Sequence, residues 1–396
     1  MSPSKALLEP PEFSLVLGGP LYQLFRRAHL SGDVLELVRR RVVLISLIAW
    51  LPLFALAALN GQLLAGANIP FLTDVEVHVR FLIAMPLLIV AELVVHGRMR
   101  LVIKEFLDRD LIPEAGKARF DAALSGAFRL RNSVAAELLL IAFVYAVGVL
   151  VVWRHFTVLQ TDTWYATTTA EGSRLTPAGI WYGFAAMPMF QFLLLRWYFR
   201  IFIWTRFLWQ VSRIDLHMIP THPDRLAGLG FLSQTAYAFV PLALAHGAVL
   251  SGMIADRIFH LGATLTAFKF EIGAVAVFVQ CLVFFPLLPF VTQLSRAKRT
   301  GLGEYGRLAA RYVREFDAKW LRGGAADGEA LIGSGDIQSL ADLSNAFDIV
   351  RGMRIAPVTR EAIVQLAVAT LMPVGPLLLT MMPLEELLRT LLGVLF

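Results

Sequence analysis

Apolar runs long enough to cross a bilayer recur seven times in this chain, and the basic residues between them rise and fall in strict alternation. The runs lie at about Val42–Leu59, Phe81–Val95, Val134–Trp153, Ala178–Leu195, Leu229–Met253, Ile272–Val291 and Ala362–Met382. Lysine and arginine number 6, 1, 8, 2, 5, 2, 11 and 1 in the eight segments that flank and separate them. A helix needs about 20 apolar residues to cross the hydrocarbon core, so the short second run must borrow its flanks. Basic residues collect in cytoplasmic loops, and seven spans with a cytoplasmic N-terminus reproduce the alternation. Adding or dropping one span would break it. The expected fold is therefore all-α: a polytopic membrane helix bundle of about seven transmembrane helices, with cytoplasmic amphipathic helices attached.

Composition supports that class. Of the residues, 57% are hydrophobic and 17% charged, against roughly 25% charged in a soluble domain. The net charge of +6 follows loop sidedness and not one clustered face, so no nucleic-acid partner is expected. Cys281, the only cysteine, sits inside an apolar run, which excludes intrachain disulfides and thiolate metal clusters. The first thirty residues lack the basic stretch, compact apolar core and small-residue cleavage site of a removable signal peptide. The expected location is the cell membrane, the inner membrane in a bacterium. The expected partners are the bilayer, its anionic headgroups and a second copy of the chain.

Four regions follow. Residues 1–41 form a cytoplasmic lead-in, with Asp33 and Glu36 marking a helix start. Residues 42–291 form a six-span bundle with basic inner loops, 292–359 a cytoplasmic helical loop, and 360–396 the seventh span and a short apolar tail. Thr73 and Glu76 have capping-box spacing, which places the start of the second helix outside the bilayer with Arg80 at its mouth. The loop 154–177, rich in Thr and aromatics, has the composition of a short hairpin. Tyr305, Leu308, Tyr312, Phe316 and Trp320 recur at helical spacing, as do Ile337, Leu340, Phe347 and Val350; the Gly-rich stretch 322–335 between them breaks the helix. Two helices packed beneath the bundle are expected.

Charges buried in apolar runs are the first candidates for chemistry, because a charge at mid-bilayer costs roughly 2.5–3.5 kcal/mol on insertion scales. With the topology above, Glu92 and His96 end the second span, Glu137 opens the third, and Arg196 and Arg200 end the fourth. Asp224 and Arg225 lie at the mouth of the fifth. All fall near the cytoplasmic interface, either lining an inward-facing polar vestibule or locking the bundle as ion pairs. His246 and Gln280 lie deeper, where a histidine can relay protons. Prolines interrupt six of the seven runs, and each frees a backbone carbonyl and permits a kink.

A second candidate is the polar stretch from Asp215 to Gly230. Thr221 or His222 could cap a helix begun by Pro223, leaving free N–H groups beside Arg225 to attract an anion such as a lipid headgroup. Gly228 would permit close approach. The candidate headgroup site is thus His217, His222, Asp224, Arg225 and Gly228. His217 and His222 are five apart across Pro220 with no third ligand nearby, so no metal or other cofactor is expected. No Gly-Lys-Ser/Thr phosphate loop, zinc-protease motif or Gly-x-Ser-x-Gly elbow is present, which argues against ATP-driven transport and against the common hydrolases. Three functions remain: a transporter or channel for an ion or small solute, an enzyme acting on lipid or polyprenyl-phosphate headgroups, and a sensor or assembly subunit. No catalytic residue is assigned, and the first is the leading expectation.

Overall fold

The computed structural model describes residues 36–153, 163–169 and 172–381. The Asp33 helix start and the C-terminal tail lie outside the described residues. Among the described residues, six helices are long and apolar enough to cross a membrane, or seven if one bent pair counts as a span.

Helix α1 (Glu36–Leu59) buries the small or slender Ala49, Leu53 and Ala57 and turns Val43, Leu44, Leu47, Ile48 and Leu51 outward. Lipid is as apolar as leucine, so large apolar side chains gain nothing by hiding, and small ones let helices approach. Helix α2 (Val75–Asp108) runs unbroken for 34 residues, about 50 Å. It joins the second apolar run to much of the following loop. Its cap is Asp74 and not the expected Thr73: the Asp74 carboxylate accepts from the Val77 N–H at 2.9 Å, while Thr73 Oγ1 donates to the Pro70 carbonyl in the preceding turn.

Helix α3 (Glu114–Arg131) meets the next helix at a 49° bend. That helix, α4, comprises Val134–Phe143 and the widened turns Val144–Trp153, and its N-cap is Ser133, accepting from the Ala136 N–H. The expected hairpin is present: β1 (Ala166–Thr169) pairs antiparallel with β2 (Gly172–Leu175). It leads into α5 (Pro177–Val211).

In α2 and α5 alike a widened turn precedes a proline: Arg80–Ala84 before Pro86, and Tyr182–Ala186 before Pro188. A proline inside a helix lacks its N–H and crowds the carbonyl four residues back, which these wider turns relieve. The carbonyl freed by Pro188 is that of Phe184, and it accepts a hydrogen bond from Tyr145 Oη at 3.2 Å.

Helix α6 (Val240–Leu261) corrects the fifth span, expected to begin at Leu229. Residues Gly230–Gln234 and Thr235–Ala238 form separate short turns instead. Pro241 sits in the first turn of the new helix, where its missing N–H leaves no helix bond unmade, and Gly262 ends that helix at φ 65°. Helix α7 (Leu265–Leu321) unites the sixth span with the cytoplasmic helix expected around Tyr305–Trp320, 57 residues in all. Helix α8 (Gly335–Arg351) folds back on it, as the sequence suggested. Its first turn is tied down by Asp336, whose carboxylate takes Lys319 Nζ at 2.9 Å and Trp320 Nε1 at 3.0 Å. Helix α9 (Arg360–Thr380) tightens around Pro373 and Pro376. It presses so closely on α6 that a Cβ on Gly247 would lie 2.0 Å from the Thr370 carbonyl oxygen.

Spans consecutive in the chain alternate in direction, so α2 and α5 pack parallel to each other, as do α6 and α9. The start of α1, the middle of α2, the start of α4 and the far half of α5 meet at one level, called here the arginine end. The start of α2, the hairpin, the start of α5 and the end of α6 meet at the other, the hairpin end.

Candidate functional site

The arginine end is built from four helices. On α2, Leu88 and Glu92 are one turn apart; on α5, Arg196, Trp197 and Arg200 face them. Trp197 Nε1 donates to the Leu88 carbonyl at 2.9 Å, which sets the two helices in register. Glu92 then receives three guanidinium groups. Its Oε1 takes Arg196 Nη1 at 3.2 Å and Arg200 Nη1 at 2.8 Å, and its Oε2 takes Arg41 Nη1 from α1 at 3.0 Å. Arg196 Nη2 reaches Glu137 Oε1 on α4 at 3.5 Å. All five residues are buried. The Arg200 guanidinium also lies over the Trp197 ring, 4.9 Å from its centroid.

The sequence therefore named four of these five residues, and the structure brings Glu92, Glu137, Arg196 and Arg200 together. Arg41 was missed because it reads as one of three consecutive arginines in a basic lead-in. His96, one turn beyond Glu92, is half-buried at the edge of the same end. His246 stands apart, its Nε2 2.8 Å from Tyr198 Oη and its Nδ1 2.7 Å from the Leu242 carbonyl. Gln280 ties α7 to α9 by donating to the Ile363 carbonyl at 2.8 Å.

The stretch around Asp224 does not form the expected helix start at Pro223. It is a compact turn gathered by one carboxylate: Asp224 Oδ1 accepts from the Leu226 N–H at 2.7 Å and the Gly228 N–H at 3.2 Å, and Oδ2 from the Gly230 N–H at 2.8 Å. The converging N–H groups expected to hold an external anion are present, but the protein's own side chain occupies them. Partial burial pushes the Asp224 carboxyl up; the three N–H donors and His222 beside it outweigh that and hold it below the usual carboxylate range. Arg225 and Ala227 adopt φ of 55° and 53° to close this turn, and Gly228 one of 96°. His217 and His222 do not converge: His217 Nδ1 lies 3.3 Å from the Asp110 carbonyl oxygen, and His222 Nδ1 accepts from the Asp224 N–H. The Arg225 carbonyl accepts from the Arg354 N–H at 2.8 Å, fastening the turn to the segment after α8.

The hairpin end holds a second polar cluster that sequence reasoning left in loops. Asp256 on α6 accepts from the Val75 and Glu76 N–H groups at 2.8 and 3.1 Å, and Asp74 accepts from Val77. Two carboxyl groups thus take three successive N–H groups of one helix end. Asp74 also accepts from Trp164 Nε1 at 2.8 Å, and His260 lies 3.7 Å from Asp256. One turn into α2, Arg80 pairs with Glu76 and donates to Tyr182 Oη at 2.6 Å. Burial, reinforced by the charge of Asp74, pushes the Tyr165 hydroxyl up to about 12. The local clue was Asp74 directly before a helical run; the partner 182 residues away left no trace in the pattern.

Comparison with known protein families, characterised proteins and solved structures finds no match.

Proposed function

We propose that the protein is a membrane transporter or channel that moves an ion or small solute, with its N-terminus and its arginine end on the cytoplasmic side. The supporting observation is the arginine-end network itself: five buried charged side chains from four helices. Replacing such a network by apolar residues is often neutral or stabilising, so stability alone is a weak reason to keep it. A second charged cluster closes the opposite end, with Phe81, Met85, Leu88 and Ile89 of α2 forming a buried apolar layer between the two. Charged constrictions on either side of an apolar middle suit passage of a polar species under control at both ends.

The test is flux. Protein reconstituted in liposomes should move at least one ion or solute above the rate of empty liposomes, and Glu137→Gln or His246→Ala should change that rate. A broad panel showing no flux would sink the proposal. The long projecting hairpin of α7 and α8 supports a second reading, a sensor or assembly subunit, because Leu308, Val313 and Leu321 stay exposed there. That reading requires loss of partner co-purification when residues 301–351 are deleted. An enzyme on lipid or polyprenyl-phosphate headgroups draws less support, since the N–H groups suited to a phosphate already hold Asp224.

A further inference from the structure

Among the described residues, three guanidinium groups meet two carboxylates at the arginine end, and one buried donor is left over. Arg200 is only 4% exposed, and its Nη1 is engaged by Glu92. Its Nη2 is buried with no hydrogen-bond partner. A guanidinium carries five donors in a rigid fork suited to two oxygens of one anion, and a buried cationic donor left unsatisfied costs several times what an exposed one does. The Trp197 ring beneath the guanidinium offsets part of that cost, but a π face supplies no oxygen. Arg131, at the end of α3, lies within electrostatic range of Arg200 and adds positive potential. Glu137 and Arg41 are each 8% exposed, the most of the five, and Leu138 and Leu139 beside Glu137 remain 60% and 70% exposed. The cluster therefore lies one helix face away from the outer surface of α4.

We propose that the arginine end binds an oxyanion, a phosphate-type group seated on Arg200 Nη2. Its source is either a lipid headgroup at the membrane interface or a soluble anion. This deepens the transport reading by making the cargo, or the ion that regulates it, anionic, and it rests on that reading only for this last step.

The experiment melts the purified full-length protein in neutral detergent at constant ionic strength. Inorganic phosphate is added in one arm and short-chain phosphatidylglycerol in the other, and co-purifying lipid is identified by mass spectrometry. One ligand should raise the melting temperature saturably. Arg200→Lys, which keeps the charge but loses the free Nη2, should weaken the response about tenfold. Glu137→Gln, which removes a negative charge beside the guanidinium groups, should strengthen it. Response to phosphate identifies a soluble anion, and response to the lipid alone a headgroup. No saturable response to either ligand, with no tightly held anionic lipid, overturns the proposal. Should Arg200→Lys fail to fold, the Glu137→Gln arm decides, and an unchanged or lost response there overturns it too. Anion binding without flux of any solute would leave the site standing and remove the transport reading; flux without a saturable response to either ligand would do the reverse.

Discussion

Glu92→Gln is the sharpest probe of the arginine end. The carboxylate makes three charge-assisted contacts at 2.8, 3.0 and 3.2 Å, with its partners drawn from two other helices. Glutamine keeps one oxygen, enough to accept from Arg196 and Arg200. Its amide then faces Arg41 Nη1, donor against donor, and the charge that offset three guanidiniums is gone. Removing one member of a buried ion network costs about 3–5 kcal/mol. At the low end of the size-dependent scale, near 2 °C per kcal/mol, that is a fall of roughly 6–10 °C in melting temperature. The assay is thermal unfolding in detergent, followed by intrinsic fluorescence. A fall below about 2 °C would mean that Glu92 is not paired as described. A second variant separates architecture from work. Replacing Arg41, Glu92, Glu137, Arg196 and Arg200 together by leucine removes both partners of each described ion pair, so the protein should lose less stability than Glu92→Gln does. If that variant also retains full flux, the network is a lock and nothing more.

Two further variants test other parts of the fold. Asp224→Ala removes the acceptor for three backbone N–H groups and should cost about 2–4 kcal/mol at neutral pH. The carboxyl is held below its unfolded value, near 3.9. Its contribution is therefore complete above about pH 5 and disappears as the pH falls through the folded-state value. Wild-type stability should drop across that acid window, while the variant's profile is flatter; parallel profiles would refute the assignment. Gly247→Leu places atoms where the Thr370 carbonyl already sits and should destabilise by about 1–3 kcal/mol or separate α6 from α9, which a disulfide-trapping distance measurement across the two helices would register.

What was legible in the sequence was depth, and what was hidden was azimuth. Hydropathy and the alternation of basic residues placed the apolar runs, because both depend on composition along the chain. They also set Glu92, Glu137, Arg196 and Arg200 at a common level. Whether those side chains face one another depends on how each helix is rotated, and only packing decides that. Arg41 illustrates the loss: Arg39, Arg40 and Arg41 are indistinguishable in sequence, yet only Arg41 lies on the buried face of α1. Asp74 and Asp256 were hidden for a different reason. Each sits at the end of an apolar run, where charge is cheap, and nothing local shows that α6 returns to the first turn of α2. The start of α6 was misplaced because Leu229, Phe231 and Leu232 are as apolar as any span. Their burial comes from the Asp224 turn and the end of α2, where Arg109 Nη1 donates to the Gly228 carbonyl at 3.2 Å.

The α2–α5 seam joins these features. It is pinned at one end by Glu92 with Arg196 and Arg200, and at the other by Arg80 with Tyr182. Both widened turns, Arg80–Ala84 and Tyr182–Ala186, lie at the hairpin end of the seam, next to the Arg80–Tyr182 contact and just before Pro86 and Pro188. Helices bend where the ladder of backbone bonds is already interrupted, so the flexible part of the seam lies at the end opposite the arginine network. Regular α-helix in between transmits a displacement without absorbing it. Breaking the Glu92 pairs therefore shifts strain toward Arg80 and Tyr182, and the Tyr145 hydroxyl on the freed Phe184 carbonyl is positioned to sense it, since that bond is not part of the regular helix ladder. The α2–α5 seam, tied at both ends and interrupted near only one, should therefore bend at its hairpin end first.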